Sequence, residues 1–142
     1  MILVDANILI HAYHPRSPLH DEARAWLEKV LSGPGLVRFA WVTLWAFLRI
    51  STNARVFEHP LSTEEAAHAV NAWLARPTVG IVEPGERHWE ILAGLMKSGQ
   101  ATGPLVMDAA LAALAIEYGL TLQTTDRDFH RFPGLSFVNP LC

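Results

Sequence analysis

The sequence predicts a three-layer α/β/α sandwich built around a central parallel sheet of four to five strands. Short apolar runs alternate along the chain with longer segments of helical periodicity, which is typical of βαβ units. Strands that are separated by helices pair in parallel. The chain has 142 residues, of which 51% are hydrophobic, enough to bury a sizeable core. We therefore expect a single domain over residues 1–142.

In the first half of the chain, the apolar pattern predicts two strands and two helices. Met1 to Val4 is short and apolar, as expected of a strand, and Leu36 to Ala40 has the same character. Apolar residues recur at helical spacing from Pro18 to Leu31, and a Ser-Gly-Pro-Gly turn closes this helix. A second helical stripe extends from Val42 to Ser51.

In the second half, helix signals at both ends of several segments sharpen the prediction. Ser62 with Glu65 three residues later forms a capping box, so a helix starts there and ends near Leu74. Gly119 ends an Ala-rich helix that opens at Gly103-Pro104 and extends to Tyr118. The remaining elements are a strand from Val79 to Val82, a helix from Glu86 to Lys97, a strand from Thr121 to Thr124 and a short edge strand from Ser136 to Val138.

Composition excludes several classes of protein. The hydrophobic share excludes a disordered chain. Eleven basic against 14 acidic residues give a net charge of −3, which neither indicates nor excludes nucleic-acid binding, because an acidic pocket and surrounding arginines cancel in the sum. No apolar run reaches the roughly 18 residues of a membrane span, and no basic segment of a signal peptide precedes the first apolar run. The single cysteine, Cys142, excludes an internal disulfide framework. We expect a cytoplasmic protein without membrane contact.

Three aspartates lie in surroundings that are otherwise apolar. Asp5 directly follows the first strand, Asp108 is the only polar residue between Leu105 and Ile116, and Asp126 follows the strand of Thr121 to Thr124. A lone ionised carboxylate in such surroundings costs several kcal/mol. Ligands of parallel sheets gather at the carboxyl ends of the strands. We therefore expect these carboxylates to meet there around a shared cation.

Each aspartate also has a purely structural explanation. Asp5 could cap the helix that follows it, and Asp126 could cap the turn at Arg127 to Arg131. Asp108 would be favoured by the dipole of its helix without any ligand, and Asp128 could simply be solvated. Together they favour the cation, because capping does not explain a carboxylate within a long apolar segment.

The segments around the aspartates follow a known pattern. They are Asp5-Ala6-Asn7 after the opening strand, the run from Asp108 to Ala115, and Thr124-Thr125-Asp126-Arg127-Asp128-Phe129. This ordered set closely resembles the PIN domain and, more narrowly, the VapC-type toxins of bacterial toxin–antitoxin pairs. The segments Trp41 to Arg49 and Phe137 to Leu141 are similar to mycobacterial or actinobacterial members. The resemblance covers essentially the whole chain.

The resemblance implies a Mg²⁺-dependent endoribonuclease, with Mn²⁺ as a second suitable ion. Asp5, Asp108 and Asp126 would be the metal ligands, and Asp128 would be a fourth catalytic acid. Carboxylates without soft ligands fit these ions better than zinc. The resemblance further implies an RNA substrate, a small cognate antitoxin and a homodimer. The clustering of aromatic residues at Trp41, Trp45, Phe47 and Phe57 also predicts an apolar interaction surface.

Other polar residues are candidates for supporting roles. The hydroxyl of Thr43 or Thr125 could orient a metal-bound water. Asn7 could orient water or phosphate, or could simply start a helix. Arg49 and Arg127 are candidates for binding the phosphates of the substrate.

One position departs from the PIN pattern and keeps an alternative function open. PIN nucleases usually carry a glutamate about three residues before the position of Arg49, where this chain has Ala46. The alternative is a catalytically weak or silent PIN-like module that binds RNA or a partner. An aspartate-nucleophile phosphatase would also end its first strand in Asp, but it needs a second Asp where this chain has Asn7.

Overall fold

The computed structural model describes residues 1–141, which form five strands and six α-helices, and Cys142 lies outside the described residues. The strands are β1 (Ile2–Val4), β2 (Val37–Ala40), β3 (Val79–Val82), β4 (Thr121–Gln123) and β5 (Phe137–Val138). The helices are α1 (Ala6–Tyr13), α2 (His20–Ser32), α3 (Trp41–Ser51), α4 (Thr63–Leu74), α5 (His88–Ser98) and α6 (Leu105–Tyr118). A 3₁₀ helix spans Arg127–Arg131.

All five strands join one sheet in the order β3-β2-β1-β4-β5, and every adjacent pair is parallel. The predicted fold class is therefore confirmed. β1 is the central strand, and the register pairs its last residue, Val4, with Gln123 at the end of β4. Residues that follow β1 and β4 consequently emerge side by side at one edge of the sheet.

Helices cover both faces of the sheet, because side chains of successive strand residues point to opposite faces. Leu3 belongs to the core that α5 and α6 cover, together with Leu122 and Phe129. Val4 belongs to the core on the other face, which α1 to α4 cover and which includes Phe39.

Helix α6 is apolar on almost every side. Ala109 and all residues from Leu111 to Ala115 are buried, and their small side chains let the helix lie close to the sheet and to α5. Helices that are hydrophobic all round occur in protein interiors. Gly119 ends α6 with a left-handed backbone (φ 65°), where a side chain would be strained.

Hydrogen bonds between side chains and the backbone define where several helices begin. The capping box of α4 is present, with Ser62 and Glu65 exchanging side chain to backbone hydrogen bonds of 2.9 and 3.0 Å. Helix α5 begins at His88 rather than Glu86, because the carboxylate of Glu117 accepts hydrogen bonds from the backbone of Gly85 and Arg87. Helix α1, the helix that Asp5 could cap, extends from Ala6 to Tyr13.

The predicted aromatic surface is only partly exposed. Trp41 and Trp45 are 40% and 62% exposed, but Phe47 is fully buried against the ring of Trp73. Phe57 stacks on the imidazole of His14 with ring centroids 3.7 Å apart. None of the helices within residues 1–141 has the length and apolar character needed to cross a membrane.

Candidate active site

The carboxylate of Asp5 is fixed at the junction of β1 and α1. Its Oδ1 accepts a hydrogen bond of 2.7 Å from the backbone N–H of Ala6, so Asp5 is the N-cap of α1. Its Oδ2 accepts 2.8 Å from the hydroxyl of Thr124 and 3.4 Å from Nδ2 of Asn7. Donors from two neighbouring chain segments therefore hold this side chain in one orientation.

Thr124 and Asn7 connect Asp5 to the loop after β4. The hydroxyl of Thr124 accepts hydrogen bonds of 3.1 Å from Nδ2 of Asn7 and from the backbone N–H of Asp126. Oδ1 of Asn7 accepts from the backbone N–H of Thr125 at 3.4 Å. Asn7 thus lies in the first turn of α1 and also links this turn to the loop after β4.

Asp126 caps the 3₁₀ helix, as the structural explanation of this residue anticipated. Its Oδ1 accepts a hydrogen bond of 2.8 Å from the backbone N–H of Asp128. The side chain of Asp128 is exposed. In both Asp126 and Asp5, therefore, only Oδ1 accepts the capping hydrogen bond from the backbone.

Asp108 lies in the first turn of α6 with its side chain half-buried. None of the hydrogen bonds within residues 1–141 engages its carboxylate. Burial raises the pKa of Asp108 to about 6, and the negative charges of Asp126, Asp5 and Asp128 add to this rise, whereas Arg131 opposes it. The four aspartates are therefore near enough for the other three charges to act on Asp108.

Burial also raises the pKa of Asp5, and the charge of Asp126 adds to the rise, whereas the hydrogen bonds from Thr124 and Ala6 lower it. Desolvation therefore outweighs the donors that favour the ionised form. Two neighbouring acids with raised pKa values are a common property of functional sites.

The donor set suits an ion that keeps most of its water. No three His, Cys, Asp or Glu side chains among residues 1–141 are close enough together to hold one ion directly. Mg²⁺ is usually bound through one or two carboxylates, and water or substrate phosphate completes its octahedral coordination. Hard carboxylate oxygens in this arrangement therefore fit a hydrated divalent ion of this kind better than a metal that needs a closed set of protein ligands.

Comparison with known proteins assigns this arrangement to a family. The model of the PIN domain matches residues 2–135. The chain belongs to the PIN-domain family. It is 41% identical over 140 residues to Ribonuclease VapC37 of Mycobacterium tuberculosis, covering 99% of this chain and 97% of that protein. Ribonuclease VapC33 of the same species is 37% identical over 141 residues, with 99% of each chain covered. The resemblance to VapC-type PIN domains is thus confirmed.

A solved structure supports the PIN fold independently. VapBC2 from Rickettsia felis, bound to a DNA fragment from its promoter, superposes with a TM-score of 0.71 over 98% of both chains. At 20% identity, this similarity concerns the fold alone.

The remaining candidate residues of this PIN domain lie in different environments. Thr43 is buried in α3, and within residues 1–141 its hydroxyl has no hydrogen-bond partner. Ala46 is half-buried one turn further along α3, and Arg49 is exposed near the end of that helix. Arg127 is exposed beside Asp126, and Thr125 contributes its backbone N–H rather than its hydroxyl to the network.

Sequence reasoning missed the contacts that two residues make in the site. Thr124 is buried and donates to Asp5, whereas the sequence pointed only to the hydroxyls of Thr43 and Thr125, as groups that could orient a metal-bound water. The available signal was its place directly after an apolar strand beside β1. Arg131 lowers the pKa of Asp108 while its Nη1 donates to the carbonyl of Gly99 at 2.7 Å. Nothing in the sequence pattern connects Arg131 with Asp108 or Gly99, which lie far away in the chain.

Proposed function

We propose that this PIN domain is a divalent-metal-dependent endoribonuclease that acts in the cytoplasm as the toxin of a toxin–antitoxin pair. The observation that carries the proposal is that the charges of Asp5, Asp108 and Asp126 act on one another, since they contribute to the raised pKa values of Asp5 and Asp108. The relatives that are named ribonucleases cover nearly the whole chain, which supports the same reaction class.

Asp5 and Asp108 would hold Mg²⁺ or Mn²⁺, and Asp126 would complete the pocket. The bound ion would activate water and stabilise the negative charge that develops on the phosphate during hydrolysis. Asp5 is already oriented by Ala6 and Thr124, so it would bind without rearrangement. Asp108 would lose its proton more readily once a cation offsets its neighbours.

Other residues of the chain would support the site in lesser roles. Asn7 and Thr124 hold the two loops at a fixed separation, which positions Asp5 relative to Asp126. Arg127 would attract the RNA backbone beside the acidic pocket. Asp128 and the hydroxyls of Thr43 and Thr125 are candidates for orienting water. Arg49 would contact phosphates further from the cleaved bond.

The proposed partners are a cognate antitoxin and a second copy of the chain. Trp41, Trp45 and Met107 are 40%, 62% and 53% exposed and border a cavity of about 370 Å³ between α3 and α6. Exposed apolar patches of this kind usually mark interfaces. Light scattering tests this: a chain that remains a monodisperse monomer, alone and with the antitoxin, would exclude both assemblies.

A silent binding module is the second candidate function, because Ala46 stands where a glutamate is expected. An RNA-cleavage assay with the purified chain separates the two functions. We expect cleavage in millimolar Mg²⁺ or Mn²⁺, its loss in EDTA, and its recovery when metal is restored. Asp108→Asn should remain inactive in every condition. RNA that is bound but never cut, with either metal, would establish the silent module instead.

A further inference from the structure

A cavity lined mainly by polar residues lies directly beside the candidate metal site. It has a volume of about 270 Å³ and opens at the carboxyl ends of β4 and β5, and we name it the β5 cavity. Asp126 belongs to both the cavity and the acidic cluster. The other lining residues that matter here are Arg127, His130, Phe137 and Asn139.

The side chains of the β5 cavity combine a cation, an aromatic pair and an amide. His130 packs edge-to-face on Phe137, with ring centroids 4.8 Å apart and an angle of 75° between the planes. This contact orients the imidazole, which remains exposed. Arg127 is also exposed, and no hydrogen bond or ion pair within residues 1–141 engages either side chain. The imidazole of His130 and the guanidinium of Arg127 are therefore both available to stack on a planar ligand.

Asn139 adds a group that can distinguish ligands. Its Oδ1 accepts a hydrogen bond of 3.0 Å from the backbone N–H of Leu141, which fixes the amide and leaves Nδ2 as a donor. A fixed amide donor can bind a carbonyl oxygen or ring nitrogen at the edge of a base. Exposed bases of single-stranded RNA are recognised through such edges and through stacking on aromatic or guanidinium planes.

We propose that the β5 cavity receives one nucleobase of the RNA, next to the phosphodiester that is cleaved, and so sets the sequence preference of the enzyme. This inference rests on the proposed ribonuclease function. The location supports it, because a nucleotide whose phosphate lies at Asp126 has its base within reach of a cavity that shares that residue. The positive guanidinium of Arg127 offsets the nearby carboxylates and favours the approach of the backbone.

Two other cavities fit a base less well. The cavity beside Trp41 and Trp45 is lined mainly by apolar side chains and includes the carboxylate of Glu83, which would repel phosphate. The cavity at His14 and Phe57 includes none of the four aspartates. Only the β5 cavity, among the three, combines base-binding chemistry with a shared residue of the site.

The test is cleavage of an RNA pool with a randomised sequence, followed by sequencing of the new ends. We expect the wild-type chain to prefer certain bases at one position beside the cut. His130→Ala and Asn139→Ala should each reduce that preference about tenfold or more, as loss of a stacked or hydrogen-bonded base does. His68→Ala and Asn71→Ala, both at exposed positions of α4, are matched controls that should keep the preference.

A second measurement does not depend on cleavage. Single-stranded RNA that contains 2-aminopurine should lose fluorescence on binding to the inactive Asp108→Asn chain, because the probe stacks on His130. The additional change His130→Ala should restore the fluorescence, whereas His130→Phe, which retains an aromatic ring, should keep it quenched. Thermal melting of each variant identifies any change that only unfolds the chain.

The outcomes separate this inference from the proposed function. A wild-type chain that cuts no RNA with any metal contradicts the ribonuclease, whatever the cavity binds. If the wild type cuts RNA but His130→Ala and Asn139→Ala keep its base preference and affinity, the β5 cavity is not a base site. In that case the ribonuclease function stands and the inference is overturned.

Discussion

Asp5 and Asp108 reach the same region of the molecule from very different surroundings. At the junction of β1 and α1, Asp5 accepts hydrogen bonds from Ala6, Thr124 and Asn7. In the first turn of α6, Asp108 has no such donor among residues 1–141, and its pKa rises to about 6. The hydrogen bonds of Asp5 therefore contribute to the fold, whereas the ionised carboxylate of Asp108 is unfavourable for it.

This difference indicates how stability and function divide within one acidic cluster. Asp5 offsets part of its desolvation through capping, so the fold and the site both depend on it. Within residues 1–141 the carboxylate of Asp108 makes no hydrogen bond, and three like charges act against its ionised form, which only the helix dipole and Arg131 favour. A residue that is unfavourable for the fold but located in a cluster is a candidate for selection by function.

Replacing each aspartate by alanine gives the largest effect and the sharpest test of the comparison. Asp5→Ala and Asp108→Ala should both reduce RNA cleavage at least about 100-fold, because each removes a proposed metal ligand. Asp5→Ala should also lower the free energy of unfolding by about 1 kcal/mol, since α1 loses its cap. Asp108→Ala should leave stability unchanged or raise it, because like-charge repulsion is relieved.

Chemical denaturation and cleavage assays on the same preparations measure both effects. Asp21→Ala, at an exposed position in the first turn of α2, is the control and should retain cleavage. An equal loss of stability in Asp5→Ala and Asp108→Ala would contradict the conclusion that Asp5 stabilises the fold and Asp108 does not.

The two threonines after β4 offer a smaller test of what holds Asp5. Thr124→Val removes the buried hydroxyl that donates to Asp5 and should cost about 1 kcal/mol of stability, as losses of buried hydrogen bonds do. Thr125→Val should change stability little, because its backbone N–H makes the contact with Asn7. Thermal unfolding of the two variants decides this, and similar melting temperatures would show that the hydroxyl of Thr124 is not required.

The smallest expected effect is a dependence of stability on pH in the metal-free chain. The pKa of Asp108 is about 6 in the folded state and 3.8 ordinarily, so the folded chain binds more protons between these values. Stability should therefore fall as pH rises from about 4 to 6. Solvent screening of this half-exposed group keeps the loss below about 1 kcal/mol.

The control for this titration is Asp108→Asn, measured at each pH beside the wild type. The comparison is needed because burial lowers the pKa values of His11 and His14, which makes stability rise with pH over a similar range. The difference between the two chains isolates Asp108, and Mg²⁺ should reduce it. A difference that does not vary with pH would mean that Asp108 is not crowded by its neighbours.

Much of the site could be predicted because it follows from chain order. In a parallel sheet the residues after neighbouring strands must emerge together, so Asp5 and Asp126 meet once β1 and β4 pair. Asp108 was expected near them because it lies in the first turn of α6, the helix that leads into β4. The capping alternatives were also predictable, since Asp5 and Asp126 precede helical turns, and both capping contacts are present.

The rest depends on side-chain directions that the sequence pattern does not define. Thr124 and Thr125 are neighbours of the same residue type, so the sequence does not distinguish them. The end of β4 at Gln123 determines that Thr124 is the one that faces Asp5. Phe47 and Trp45 lie on different faces of α3, and the packing of Phe47 against Trp73 of a later helix selects which one is buried. Such choices are made by tertiary contacts between distant segments.

The burial of α6 has a consequence for the dynamics of the site. Amides in the most protected helices exchange with solvent only when the whole domain opens. With Ala109 and the residues from Leu111 to Ala115 buried, we expect α6 to belong to this class. Ligands that bind only the folded state raise the free energy of global opening. An ion at Asp108 should therefore slow hydrogen exchange along all of α6 and in the neighbouring strands, well beyond the turn that it touches.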